Sequence, residues 1–298
     1  MDWREGLPRK YYEKYKKVDI TSEWYTVYQL PHNVYAITEP NHFQEVNSFL
    51  IIGESQALLL DTGMGFESIK DVCHQLYKGE IIVVNSHFHF DHITDNWRFD
   101  KVFSYNEEHA LSQIGKGFTT KELTYQIGEE MFWGNPPQTL DLEHYHIPPV
   151  RTIPIEDGHI FDLGGRLIKV IHTPGHTNDS IVLLDEQSRF LFTGDTFYLG
   201  ALYTHFKSDF YGYSNVGVYK ETLCKLSKVV DKIDWLLCSH NDLMVKPIKI
   251  VEAYEAFEMI DNNSIEIVHT EAGLHEYEIV DSKISEYKFD GFSVVVRR

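Results

Sequence analysis

Six consecutive residues, His87-Phe88-His89-Phe90-Asp91-His92, carry four side chains able to ligate a metal ion. Imidazole nitrogen and carboxylate oxygen together suit Zn²⁺, Fe or Mn²⁺. The cluster follows the apolar run Ile81-Ile82-Val83-Val84 after the short link Asn85-Ser86. It therefore sits where a buried strand of an α/β sheet ends, the usual place for ligand sites in such folds. Three further residues stand in the same context: His176 in HTPGHTNDS, Asp195 in FTGD and His240 in CSHND, each after a short apolar strand. Strand ends that contribute one ligand apiece would converge on one edge of a layered sheet. Five histidines and two aspartates are enough for two adjacent ions, and a bridging carboxylate would hold those ions about 3.5–4 Å apart. A water shared by two such cations is acidified toward neutral pH and attacks as hydroxide. His144-Tyr145-His146 is a lone HxH and reads instead as an exposed loop pair.

The elements that must position these residues alternate strand and helix. VYAITE (34–39), NSFLIIG (47–53) and ALLLDTG (57–63) are strand-like, rich in aliphatic and β-branched residues with turn signals between them. Ile69, Val72, Cys73 and Leu76 at i, i+3, i+4 and i+7 predict a helix over 66–77. Residues 107–150 break the rhythm with two short helices and then WGNPPQ and IPPV. Residues 159–173 read as a hairpin turned by Gly164 and Gly165, and 180–195 as a second hairpin around Glu186–Ser188. A helix near 216–230, strand DWLLCS (234–239), helix 249–261 and terminal strands at 276–281 and 291–297 complete the chain. The alternation predicts an α/β layered fold. The expected organisation is an N-terminal extension over 1–29 and one domain over 30–298, with an inserted, lid-like segment near 107–150. No linker dividing two independent domains is evident.

Composition narrows the function classes. The chain has 298 residues, 43% of them hydrophobic and 24% charged, an ordinary globular mixture. A net charge of −18 leaves no global field to attract phosphate backbones, so nucleic acid is not an expected partner. The N-terminal MDWREGLPRKYYEKYKK lacks the apolar core of about 7–15 residues that a signal peptide needs. No apolar run approaches the roughly 18 residues of a membrane span. A cytoplasmic location is expected, with a small-molecule substrate, and a homodimer is the one macromolecular assembly left open. Cys73, Cys224 and Cys238 form no CxxC pair and are odd in number, so they read as buried reduced thiols rather than a disulfide framework.

The pattern HFHFDH…TPGH…TGD…SH, spread over about residues 30–245, resembles the metallo-β-lactamase fold superfamily in its hydrolase branches. That resemblance implies an αβ/βα sandwich of four layers with a dinuclear site at one edge. It implies that His87, His89 and His176 hold one divalent ion, and that Asp91, His92 and His240 hold the other, with Asp195 bridging. Zinc is the expected metal, with iron or manganese also suited to these donors. The Asp61-Thr62-Gly63 turn resembles a family motif near the site. The family reading makes Asp61 the partner that orients a ligand histidine, and the plain alternative is that it caps a turn. His89 stands where oxygen-reducing diiron members have Glu, and Asp195 stands where one drug-hydrolysing branch has Cys. Both departures point away from those branches. Cys238, two residues from His240, faces the same way on an extended strand, with core packing as its alternative role.

Tyr198, three residues after Asp195, resembles in its placement the tyrosine of lactonases and acyl-CoA thioesterases in the superfamily. A phenol there would stabilise a developing oxyanion, and the alternative is a wall tyrosine in an aromatic-rich protein. The stretch through Tyr203, His205, Tyr211 and Tyr213 also resembles the thioesterase-like members. Phe118, Phe132, Trp133, Phe197 and Tyr203 would either roof the site for an acyl chain or pack the insert. Lys116, Lys121 and Arg151 either form a local patch for one phosphate group or are simply solvated. The expected function is hydrolysis of a carboxylic ester, thioester or lactone by hydroxide, with Asp91 holding the nucleophile and Tyr198 serving the oxyanion. The two rivals are a mononuclear iron dioxygenase acting on a persulfide and a non-catalytic metal-containing sensor of a small molecule.

Overall fold

The computed structural model describes residues 3–272 and 283–297, so the strand expected over 276–281 lies outside the described residues. Eight strands form one sheet in chain order: Lys16–Val18, Thr26–Leu30, Val34–Thr38, Asn47–Ile52, Ala57–Leu60, Ile81–Val84, Val102–Tyr105 and Ile153–Ile155. The first five are antiparallel neighbours. Ala57–Leu60 then runs parallel to Ile81–Val84, which runs parallel to Val102–Tyr105. A parallel pair needs a crossover connection, and helix Ile69–Leu76 supplies it. Ser68 starts that helix by accepting from the Asp71 N–H, and Ile69, Val72 and Cys73 form its buried face. Every residue of Ala57–Leu60 and Ile81–Val84 is buried, the pattern of strands covered on both faces. Residues 16–30 supply two strands of this sheet.

A second sheet has six strands in the order Met244–Val245, Trp235–Leu237, Phe190–Phe192, Ile181–Asp185, Leu167–His172 and Ile160–Asp162. Gly164 and Gly165 turn the first hairpin at φ of 86° and 73°, values that glycine adopts without a steric penalty. Along Leu167–His172, Ile168 and Val170 are buried while Leu167 and Lys169 are exposed. Phe190–Phe192 pairs in parallel with Trp235–Leu237, and helix Val216–Ser227 lies between them in sequence. A four-stranded sheet orders Ala201–Thr204, Ser293–Arg297, Lys283–Lys288 and His269–Ala272. Both large sheets mix strand directions and carry helical crossovers, which is the α/β class.

The described chain forms two compact units. The first comprises the chain up to Ser104 with Leu111–Ile155 and Phe161–Leu167, and the second Tyr105–Ala110, Glu156–Ile160 and the chain from Ile168 onward. The chain enters the second unit at three places, so no single linker separates the two. In the second unit, Val182, Leu191, Phe197, Tyr219, Leu223, Leu236, Ile250, Phe257 and Val294 belong to one apolar core.

Candidate metal centre

In the first unit, two adjacent parallel strands end in the residues that matter. Asp61 follows Ala57–Leu60 and Ser86-His87 follows Ile81–Val84. Asp61 is fully buried and holds φ at 63°, a conformation that costs a non-glycine residue about 1–3 kcal/mol. Its carboxylate explains what maintains that strain. Oδ1 accepts the Ser86 N–H at 2.7 Å, and Oδ2 accepts the Ser86 hydroxyl and the His92 Nδ1–H, each at 2.8 Å. The Thr62 N–H donates back to the His92 carbonyl at 2.7 Å. Asp61 therefore both caps the Ser86 backbone and bonds the His92 ring. With its proton on Nδ1, His92 presents the Nε2 lone pair as a metal donor.

His92 Nε2 lies 3.5 Å from Oδ2 of Asp91. The His87 ring centroid is 4.5 Å from that of His89 and 4.2 Å from that of His92. His87 Nδ1 meets the Ser86 hydroxyl at 3.0 Å. The first unit therefore brings together His87, His89, Asp91 and His92, all buried.

The second unit brings together the other three. His176 Nδ1 lies 2.8 Å from the Tyr203 carbonyl oxygen. A carbonyl only accepts, so Nδ1 carries the proton and Nε2 the lone pair. That Nε2 is 3.6 Å from Oδ2 of Asp195, and His240 Nε2 is 3.1 Å from Oδ1. Asp195 thus turns one oxygen toward each imidazole. The turn Gly194–Thr196 that carries it is held by Tyr219, whose buried hydroxyl lies 3.0 Å from the Asp195 carbonyl and 2.6 Å from that of Thr196. Gly175 makes this approach feasible, because a Cβ there would overlap Tyr219 and its φ is 142°. Tyr198 donates to the Ala201 carbonyl at 2.5 Å, and its ring centroid is 4.8 Å from that of His240.

Each unit offers buried His and Asp side chains, the residue types that hold a metal ion. Nitrogen and oxygen donors in this mixture fit a divalent cation such as zinc. Other residues singled out in the sequence have plainer places. His144 and His146 are exposed. Lys116 pairs with Glu122 at 3.3 Å on the surface. Phe118 is buried and bridges to Ile147, Phe132 packs on Trp24, Phe66 and His42, and Phe197 packs on Phe292. Trp133 is partly exposed. Cys73 and Cys238 are buried while Cys224 is half-buried, and burial pushes the Cys238 thiol up to about 12.

Four contributors escaped the sequence reading: Ser86, Tyr219, the Tyr203 carbonyl and Glu39. Ser86 adjoins the histidine cluster, and a hydroxyl at that point was the one available signal. Glu39 is buried and takes the Trp24 indole N–H at 2.5 Å and the Met64 N–H at 2.8 Å. Burial raises its pKa to about 8 against those two donors.

The metallo-beta-lactamase superfamily model matches residues 43–240. The chain belongs to that superfamily and is a hydrolase. It is 28% identical over 227 residues to the human (Homo sapiens) acyl-coenzyme A thioesterase MBLAC2, a match covering 70% of this chain and 78% of that protein. It is 25% identical over 205 residues to the atrochrysone carboxyl ACP thioesterase of Emericella nidulans, covering 67% and 53%. Among solved structures, the sec-alkylsulfatase Pisa1 from Pseudomonas sp. shares the fold at a TM-score of 0.57 and 19% identity, covering 80% of this chain and 42% of that one. A metallo-beta-lactamase family protein of Thermus thermophilus shares it at 0.53 and 19%, covering 81% and 85%. Among the described residues no helix is long and apolar enough to cross a membrane.

Proposed function

We propose that this hydrolase cleaves acyl thioesters, such as acyl-coenzyme A, at a dinuclear metal centre. His87, His89 and His176 would hold one ion and Asp91, His92 and His240 the other, with Asp195 shared. The observation that carries the reading is Asp195, whose two oxygens each face a different imidazole Nε2, as a shared carboxylate requires. The thioesterase names of MBLAC2 and the Emericella nidulans relative support the substrate class.

Divalent cations held by these residues, with zinc the proposed ion, would supply the charge that acidifies water and polarises the substrate carbonyl. The protein's own groups do the rest. Asp61 and the Tyr203 carbonyl fix the tautomers of His92 and His176. Asp91 accepts a hydrogen bond from the attacking water and so orients its lone pair toward the carbonyl carbon. Water adds, the C–S bond breaks, and a carboxylic acid and a thiol leave. Tyr198 has one proton, now given to Ala201. Serving the oxyanion requires its hydroxyl to exchange that carbonyl for the substrate oxygen.

Release of free thiol from acyl-CoAs of several chain lengths, beside p-nitrophenyl esters and lactones, tests the reading. Fastest turnover on the thioesters is expected. Turnover confined to lactones would replace the substrate class. Oxygen consumption with one iron per chain would favour the persulfide dioxygenase, and full metal occupancy without turnover of any of these substrates would favour the sensor.

A further inference from the structure

Glu39 has no place in the chemistry above, yet it is a buried acid at the end of strand Val34–Thr38. Its two oxygens take two different donors. Oε2 takes the Trp24 indole N–H, and Oε1 takes the N–H of Met64, at the far side of the Asp61-Thr62-Gly63 turn. Gly63 closes over the carboxyl group so tightly that a Cβ there would overlap Oε1, and its φ is 67°. Two further contacts hold the same turn. Tyr145, from the 107–150 segment, donates its hydroxyl to the Met64 carbonyl at 2.6 Å, and the Thr94 N–H lies 3.3 Å from the Gly63 carbonyl. Asp61 needs such support, since its backbone is strained and its carboxylate fixes His92.

We infer that Glu39 is a positioning residue for His92, acting through Met64 and the strained Asp61 turn, with Tyr145 as its counterpart at the Met64 carbonyl. The consequence for metal binding rests on the functional reading above, whereas the consequence for the His92 ring does not. Once ionised, above about pH 8, the carboxyl group suits the position because both of its oxygens accept. An amide presents one acceptor and one donor, so Glu39→Gln sets an NH₂ against either the Trp24 indole or the Met64 N–H. The Trp24→Phe change removes one of those donors, which makes Trp24→Phe/Glu39→Gln the rescuing variant.

The test uses the full chain and two readouts. In metal-free protein, the His92 Nδ1–H resonance in ¹⁵N–¹H NMR should be protected from solvent exchange. It should exchange at least about tenfold faster in Glu39→Gln, because exchange follows the free energy of local opening. In a zinc–chelator competition, the weaker of the two zinc sites should lose about tenfold in affinity while the tighter one is unchanged. Trp24→Phe/Glu39→Gln should recover much of both. Tyr145→Phe, which leaves Glu39 intact, should reproduce the exchange effect if the Glu39 variant does not fold. An unchanged His92 resonance in folded Glu39→Gln or Tyr145→Phe protein would overturn the inference. So would equal loss at both zinc sites with no recovery in the double variant. Wild-type protein that binds one zinc would instead count against the dinuclear reading and leave the NMR arm decisive for Glu39.

Discussion

Nδ1 of His92 donates to Oδ2 of Asp61 at 2.8 Å, and both side chains are completely buried. Asp61 satisfies three donors with two oxygens, so its replacement by Asn puts an NH₂ against one of them. Asp61→Asn is expected to lower metal affinity or kcat about 10–100-fold. Zinc content after dialysis against a chelator, measured beside kcat, checks this. Wild-type metal content and rate would show that the contact is only a turn cap.

Tyr198 gives its proton to Ala201 while its ring packs beside His240. If the hydroxyl turns to the oxyanion during turnover, Tyr198→Phe should lower kcat about 100-fold with KM nearly unchanged. Loss of the Ala201 bond alone would appear as roughly 1 kcal/mol of stability, with kcat kept within a factor of two. Steady-state kinetics and a denaturation curve on the same preparation separate the outcomes.

The hydroxyl of Tyr219 supports the Asp195 turn from a fully buried position. Tyr219→Phe leaves the two carbonyls without that donor and should cost about 1–3 kcal/mol of folding stability. A urea midpoint identical to wild type would contradict the role.

Two buried groups give opposite pH dependences. Burial raises Glu39 from 4.5 to about 8, with Asp95 and Asp91 adding to the rise and the Trp24 and Met64 donors opposing it. Between those values the folded state binds more protons than the unfolded one, so stability from this group falls as pH rises. Burial lowers His42 from 6.5 to about 4, against its bond to the Gln126 carbonyl. There the unfolded state binds more protons, so stability falls as pH drops from 6.5 toward 4. In metal-free protein, Glu39→Gln should flatten the loss of Tm between about pH 4.5 and 8, and His42→Gln the loss between about pH 6.5 and 4. Slopes that match wild type in these windows would refute the assignments.

What was legible in the sequence follows from range. HFHFDH is a contiguous signal, and the runs before Asp61, His87, Asp195 and His240 are apolar and short, so strand ends could be read directly. Helix Ile69–Leu76 followed from the spacing of its apolar residues, whereas its capping serine, Ser68, was not read. The support around the ligands was not legible. Tyr203 acts through its carbonyl, which every residue has, and Tyr219 reaches Asp195 across 24 positions. Glu39 gives no local cue because its partners, Trp24 and Met64, lie 15 and 25 residues away. The 107–150 aromatics show the limit of composition. Phe118, Phe132 and Tyr145 are buried, and Tyr145 spends its hydroxyl on Met64.

The dinuclear thioesterase reading is tested most directly by titrating chelator-stripped protein with zinc while following thiol release from an acyl-CoA. Activity should be absent without metal and rise to a break at two equivalents per chain. Full activity in the stripped protein, or a plateau at one equivalent, would contradict it.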